Sequence, residues 1–336
     1  SSLPEMTYLT LLSKLIMHTR RTARIFLTAC LIATASPLYA ADWPTWRHDA
    51  HRSAASPAEL PAKLYPQWIR EYTPLTPAWP DQAKMQFDIV REPVVEGTTM
   101  YFNSSRFDGV RALDTRTGAE KWKYFTDGPV RFAPLAWEGR VYLTSDDGYL
   151  YCLQGSTGKV LWKFRGGPND RKILGNERLI STWPARGAPV IADGKVYFAA
   201  SIWPFMGIFI HALDARTGEP YWTNDGDGSL YMKQPHNTDS FASIAPQGPL
   251  VAVGDKLLLP GGRSVPACFD RLTGKMLRYQ LAENGKRGGG SDVAAQGDVF
   301  FNGGTIFDIN TEKALADYGR HIVLTPEHAF TYDAKG

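Results

Sequence analysis

The chain has 336 residues, 37 of them Lys or Arg and 34 Asp or Glu, for a formal net charge of +3. This near balance excludes the basic stripe of a nucleic-acid binder, since several of the basic residues sit in the first 24 positions. With 31 glycines, 23 prolines and 12% aromatic residues, the composition argues against a helical bundle and for many short strands joined by tight turns.

In chain order, residues 1–40 read as upstream residues followed by an export signal. Met17 offers a better start than Ser1. After it come a basic stretch, His18–Arg24, an apolar run, Ile25–Ala35, and a small-residue cleavage region, Ser36–Ala40. The apolar run is shorter than the ~20 residues that span a bilayer, so no membrane span is expected. Leu27-Thr28-Ala29-Cys30 has the look of a lipoprotein cleavage box, but little apolar sequence precedes it. Arg20-Arg21 resembles a twin-arginine signal, without the hydrophobic residues that should follow directly. The mature protein is expected in the periplasm or outside the cell.

Residues 41–336 read as one repetitive domain. Leu64-Tyr65-Pro66-Gln67-Trp68-Ile69-Arg70 suggests a strand over 64–72 ahead of the first repeat. Then one phrase recurs: Ala112-Leu-Asp114-Thr-Arg-Thr117-Gly118-Ala-Glu-Lys-Trp122, with further copies ending at Trp162 and Trp222. A fourth copy, Cys268 to Arg278, has lost the Trp, and a fifth, from Asp308 to Glu312, has lost the Gly as well. Before each copy lies a strand, a tight turn and a second strand. The turns are Glu96-Gly97, Glu138-Gly139, Asp193-Gly194, Gly254-Asp255 and Gly297-Asp298, where Gly beside an acidic residue supplies the positive φ of a two-residue hairpin. Each unit therefore predicts four antiparallel strands, A to D, in about 40 residues, the size of a propeller blade.

The repeat residues have structural work to do. Asp114, Asp214 and Asp270 can bond the amides of their own turns, and Gly118, Gly158, Gly218 and Gly274 can take the left-handed conformation after them. Trp122, Trp162 and Trp222 can bury their rings against a neighbouring blade. Cys152 and Cys268 stand where other copies have Ala112 and Ala212, a whole blade apart. That is too far for a disulfide, so both are expected as small buried residues.

The phrase Ala-x-Asp-x-x-Thr-Gly-x-x-x-Trp resembles the tryptophan-docking motif of the PQQ-like (quinoprotein-type) β-propellers. That superfamily includes the pyrroloquinoline quinone (PQQ) alcohol dehydrogenases and the propeller lipoprotein of the outer-membrane barrel-assembly machinery. The resemblance covers residues 43–336, and the opening Asp42–Asp49 is similar to that of exported PQQ-like proteins of environmental bacteria. It implies an all-β propeller of four-stranded blades, seven or eight in a complete ring. Five are present here, and His321–Phe330 begins a sixth. In ring-closed relatives a strand such as 64–72 completes the last blade.

In such a blade the A–B and C–D turns share one face, and the B–C and D–A loops share the other. Trp162–Pro189 and Trp222–Pro249 are each more than twice as long as Trp122–Pro134, so the insertions collect on the second face, where binding sites are usually built. Arg91, Arg131 and Arg186 precede the first-strand prolines Pro93, Pro134 and Pro189, which places them toward the channel mouth. There they could bind a carboxylate or phosphate, or pair with acids of neighbouring loops. Trp183 and Trp203, with Phe205 and Met206, form either an aromatic wall for a flat ligand or the small core of the insert. His236 and Asn237 are polar groups of the second long loop, and no second ligand follows at zinc-like spacing, so no metal site is expected.

Three functions stay open, with the leaning away from an enzyme. The favoured one is a binding or scaffold module whose long-loop face takes a protein or peptide partner, or a small anionic ligand. The second is a PQQ-dependent alcohol or sugar dehydrogenase using PQQ and calcium. The family's adjacent cysteine pair and the haem motif Cys-x-x-Cys-His are both missing from this sequence. The third is a recognition propeller attached to a catalytic domain beyond Gly336.

Overall fold

Each repeat breaks its apolar run twice, at an acidic-Gly pair and at Asp-x-x-Thr-Gly, and each break becomes a chain reversal. The computed structural model describes residues 42–332 apart from 76, 82–87, 89–90, 176–177, 235–236, 263 and 282–287, so the expected export signal lies outside it. Blade 1 comprises β1 (Val94–Glu96), β2 (Thr99–Ser104), β3 (Gly109–Asp114) and β4 (Glu120–Phe125). Blade 2 comprises β5 (Leu135–Trp137), β6 (Arg140–Thr144), β7 (Tyr149–Gln154) and β8 (Val160–Arg165). A hairpin follows, β9 (Lys172–Gly175) and β10 (Arg178–Ser181). Blade 3 is β11 (Ala185–Ala192), β12 (Lys195–Ala200), β13 (Phe209–Asp214) and β14 (Pro220–Asn224), with a short 3-10 turn over Pro204–Met206. A second hairpin, β15 (Ser229–Lys233) and β16 (Asp239–Ser243), precedes blade 4. That blade holds β17 (Val251–Val253), β18 (Lys256–Leu259), β19 (Ala267–Asp270) and β20 (Met276–Arg278). Blade 5 holds β21 (Val293–Gln296), β22 (Val299–Asn302), β23 (Thr305–Asp308) and β24 (Ala314–Asp317), and the pair β25 (Arg320–Leu324) and β26 (Ala329–Tyr332) follows it.

All five four-stranded sheets run A-B-C-D in antiparallel order. Every one has a register shift at the same place in its third strand, for example between Ala112 and Leu113 or between Cys268 and Phe269. The bulge turns the fourth strand outward, where its residues alternate between half-buried and exposed. The core lies between sheets: Tyr142, Leu150 and Cys152 of blade 2 meet Val196, Phe198 and Leu213 of blade 3. Cys152 and Cys268 are buried free thiols.

The C–D turns repeat their hydrogen bonds almost atom for atom. Asp214 Oδ1 accepts the amides of Arg216 and Thr217 at 2.9 and 2.8 Å, and Asp270 Oδ1 accepts those of Leu272 and Thr273 at 2.9 Å each. The glycine that follows has positive φ, and a tryptophan of the preceding blade lies flat against it. A Cβ on Gly158 would come within 2.6 Å of the Trp122 ring, whose Nε1–H donates to the Gly155 carbonyl at 2.8 Å. Where the tryptophan is lost, Arg278 supplies the donor instead, to the Ile309 carbonyl at 3.2 Å. Where the glycine is lost, Glu312 still takes φ 56°.

The segment 64–72, expected as a strand, pairs with no strand among the described residues. Two of its side chains are docked: the Trp68 ring covers Gly118 and its Nε1–H donates to the Thr115 carbonyl at 2.9 Å, and Tyr72 packs on Phe102 with ring centroids 5.2 Å apart. The sequence reading also missed what Trp43–Ser53 does. Innermost strands present unpaired amides to the channel, and this segment satisfies them. Carbonyls of Pro44, Ala50, His51 and Ser53 accept from Ala136, Ala252, Ala295 and Leu324, one per blade, while Trp43 and Val95 exchange two bonds. Arg52, fully buried, reaches the third and fourth blades by donating to the Pro189 and Leu250 carbonyls at 3.0 and 2.9 Å. The segment therefore plugs the channel near its tight-turn end. It bends sharply enough to hold Arg47, His48, Arg52 and Ala54 at positive φ.

Candidate functional site: the looped face and the channel mouth

At the opposite end of the channel, β11 and the residues leading into β5 carry arginines inward, and the turn after β6 carries an aspartate between them. Arg131 Nε donates to Asp146 Oδ2 at 2.6 Å, and Arg186 grips the same carboxylate through Nε and Nη2 at 2.8 and 2.9 Å. Arg131 Nη1 also donates to Asp88 Oδ2 at 2.6 Å, and Asp88 accepts the Ala78 amide as well. All four side chains are buried. Two guanidinium and two carboxylate groups balance, which is how charges are tolerated away from water.

The two acids are not equivalent. Burial pushes Asp146 upward, but Arg186 and Arg131 outweigh it and hold the carboxyl below its ordinary value. Burial also raises Asp88, and there Arg131 offsets only part of the effect, so Asp88 ends above its ordinary value. Burial lowers Arg131, and Asp146 and Asp88 more than restore it. Deeper in the channel, Glu92 is pushed up to about 8, by burial and then by the Asp292 carboxylate, and accepts the Ala133 amide at 3.2 Å.

Of the three arginines singled out by sequence, Arg131 and Arg186 thus converge on Asp146. Arg91 stands apart, donating to the Thr73 carbonyl at 2.6 Å with its guanidinium over the Tyr72 ring. Trp183 is buried, and its Nε1–H donates to the Met206 carbonyl at 2.8 Å, tying the 3-10 insert down. Trp203 meets Trp79 edge-on at 6.3 Å and lies beside the exposed Phe205. Asn237 closes the β15–β16 hairpin at φ 73°. His236 lies outside the described residues.

The sequence reading passed over Asp88 and Asp146, because an acid in a loop carries no signal of what it will face. It also passed over the hairpins. Both lie in D–A insertions, and each shows solvent a cross-strand apolar pair: Leu174 with Leu179, exposed by 78% and 60%, and Tyr231 with Phe241, exposed by 66% and 50%. The second hairpin contacts the insert that bears Phe205. Among the described residues no three of His, Cys, Asp and Glu come together as a metal-ligating group, and no helix is long and apolar enough to cross a membrane.

Comparison with known proteins agrees with this architecture. The family described as outer membrane protein assembly factor BamB matches residues 46–182. The dehydrogenase subunit of the quinone alcohol dehydrogenase of Gluconobacter oxydans is 31% identical over 39% of this chain and 18% of its own length. Its counterpart from Acetobacter aceti is 30% identical over 58% of this chain and 24% of its own length. The chain thus spans about a fifth to a quarter of these curated relatives. The crystal structure of the quinohemoprotein alcohol dehydrogenase from Comamonas testosteroni superimposes with a TM-score of 0.54 over 85% of this chain and 50% of that one, at 18% identity.

Proposed function

We propose that this chain, whose blades are PQQ-like β-propeller repeats related to those of PQQ dehydrogenases and BamB, is an exported binding module that takes a protein or peptide partner on its looped face. The observation that carries this reading is the pair of hairpins. Four large apolar side chains stand in water on short strands with free edges, Tyr231 and Phe241 on the hairpin that packs on the Phe205 insert, and folding alone gives no reason to expose them. The partner's apolar side chains would seat on these exposed pairs, with main-chain bonds to an open hairpin edge.

Photo-crosslinking in the source cells tests it. A benzophenone amino acid at Tyr231 is expected to yield a discrete adduct. The same group at Asn310, on the tight-turn face, is expected to yield none. Equal labelling at both sites, or none at Tyr231, would overturn the reading.

Similarity to quinone alcohol dehydrogenases supports a second reading, a PQQ-dependent dehydrogenase. The described side chains do not fit it. Asp88 and Asp146 already occupy Arg131, and among the described residues no three of His, Cys, Asp and Glu gather where a metal ion could sit. No step is therefore derived through that cofactor. Titration with PQQ and calcium, followed by Trp fluorescence and dye-linked alcohol oxidation, decides between the two readings.

A further inference from the structure

The two hairpins of the looped face differ in charge. Over 163–179, around the first, five bases (Lys163, Arg165, Arg171, Lys172 and Arg178) stand against two acids, Asp170 and Glu177. Arg178 pairs with Asp108 of a blade 1 loop, while the other four bases are exposed and form no ion pair among the described residues. On the second hairpin Lys233 and Asp239 stand opposite each other in register, so its outer face is balanced. Alternation along the first hairpin puts Lys172 on the same outward face as Leu174 and Leu179, with Ile180 buried on the other. Its β10 side is anchored to the body, where the Ser181 amide donates to the Asp146 carbonyl at 2.8 Å and Arg178 reaches Asp108. Beyond β9 no further strand pairs among the described residues.

The phase of the ladder fixes what that open edge offers. In an antiparallel pair, residues alternate between bonding across to the partner strand and bonding outward. The Thr182 amide bonds across, to the Arg171 carbonyl at 2.8 Å, and Ser181 bonds outward. Its register partner Lys172, and Leu174 two residues on, therefore turn their N–H and C=O groups to the open edge. An extended segment laid along β9 bonds these two residues by main chain and sets its own side chains opposite theirs. Opposite Lys172 a carboxylate is attracted and a second cation repelled. Opposite Leu174 an apolar side chain covers surface that otherwise stands in water. Arg165 and Arg171 add to the positive field, Arg171 with its guanidinium over the Trp183 ring. Resting on the reading of the looped face as a partner site, we propose that β9 takes an extended peptide segment with an acidic and an apolar residue two positions apart. The acid pairs with Lys172, and the apolar residue covers Leu174.

The test titrates the whole chain into fluorescein-labelled peptides of the form Thr-x-Thr-z-Thr-x-Thr-z-Thr and follows anisotropy. In the first peptide x is Glu and z is Leu, in the second they are Lys and Leu, and in the third Glu and Ser. The first is expected to bind roughly fivefold more tightly than either of the others, the worth of one good cross-strand pair. Its affinity should fall as salt rises. Lys172→Glu is expected to reverse the order of the first two peptides, a result that only a folded chain gives. Leu174→Ser should bring the first peptide down to the affinity of the third. The proposal is overturned if the three peptides bind alike, if none binds, or if Lys172→Glu leaves their order unchanged. The Tyr231 adduct in cells reports on the partner reading separately: its formation beside equal peptide affinities would keep that reading and remove this one.

Discussion

The two faces of this propeller handle polarity in opposite ways. On the tight-turn face four of the five C–D turns satisfy themselves: an aspartate bonds its own amides, a residue at positive φ follows, and a donor from the segment packed before it caps a carbonyl. These turns draw on little beyond themselves and that preceding segment. On the looped face the polar groups depend on one another across the chain. Arg131, Asp146 and Arg186 come from two blades and Asp88 from a segment before the first, while apolar side chains are left in water. Local bonding makes a face that repeats, and long-range bonding makes one that does not.

The sharpest way to break this contrast is to unpair the buried cluster. Arg186→Met is expected to lose about 3–5 kcal/mol, because Asp146 would keep only one of two guanidinium partners in a buried site. Denaturant unfolding measures it, and a loss below about 1 kcal/mol would show that the cluster is only incidental. The next effect belongs to the repeat. Gly158→Ala adds a Cβ that collides with the Trp122 ring at φ 72°, at a cost of about 1–3 kcal/mol. Gly139→Ala has φ 70° but open space, so it should cost less, and equal losses would mean that the tryptophan contact contributes nothing.

A third prediction concerns pH. Glu92 is raised from 4.5 to about 8, so the folded chain keeps a proton that the unfolded chain releases near pH 4.5. Its contribution to stability is therefore full below pH 4.5 and is lost as pH rises through about 8. Glu92→Gln should flatten the decline in melting temperature over that window, and matching slopes in the two proteins would refute the assignment. The smallest effect is on the one C–D turn that lacks its acid. Gln154 accepts the Thr157 hydroxyl through its side chain, where the other copies accept two amides. Gln154→Asp should raise the melting temperature by roughly 1–2 °C, and a decrease would show that the turn prefers the longer side chain.

The blades were legible in the sequence because each is made of short-range rules. Asp114 with Gly118 is a turn wherever it occurs, and Tyr101, Tyr142 and Tyr197 mark the strands that face Ala112, Cys152 and Ala212. The same register placed the cysteines apart, as buried free thiols. From the sequence, Arg91, Arg131 and Arg186 were three residues near one mouth, with pairing to loop acids one of two open readings. That Asp88 and Asp146 would be those acids was not legible, because they carry no repeat signature.

The sequence by itself thus determined the strands, the turns and the face that received the insertions, since these depend on residues a few positions apart. Only the tertiary structure decided where the charges balance, and that Trp43–Ser53 closes the channel. Those outcomes depend on amides, carbonyls and carboxylates brought together from five blades and the β25–β26 pair. Burial sets their energies, and burial exists only once the blades have packed together.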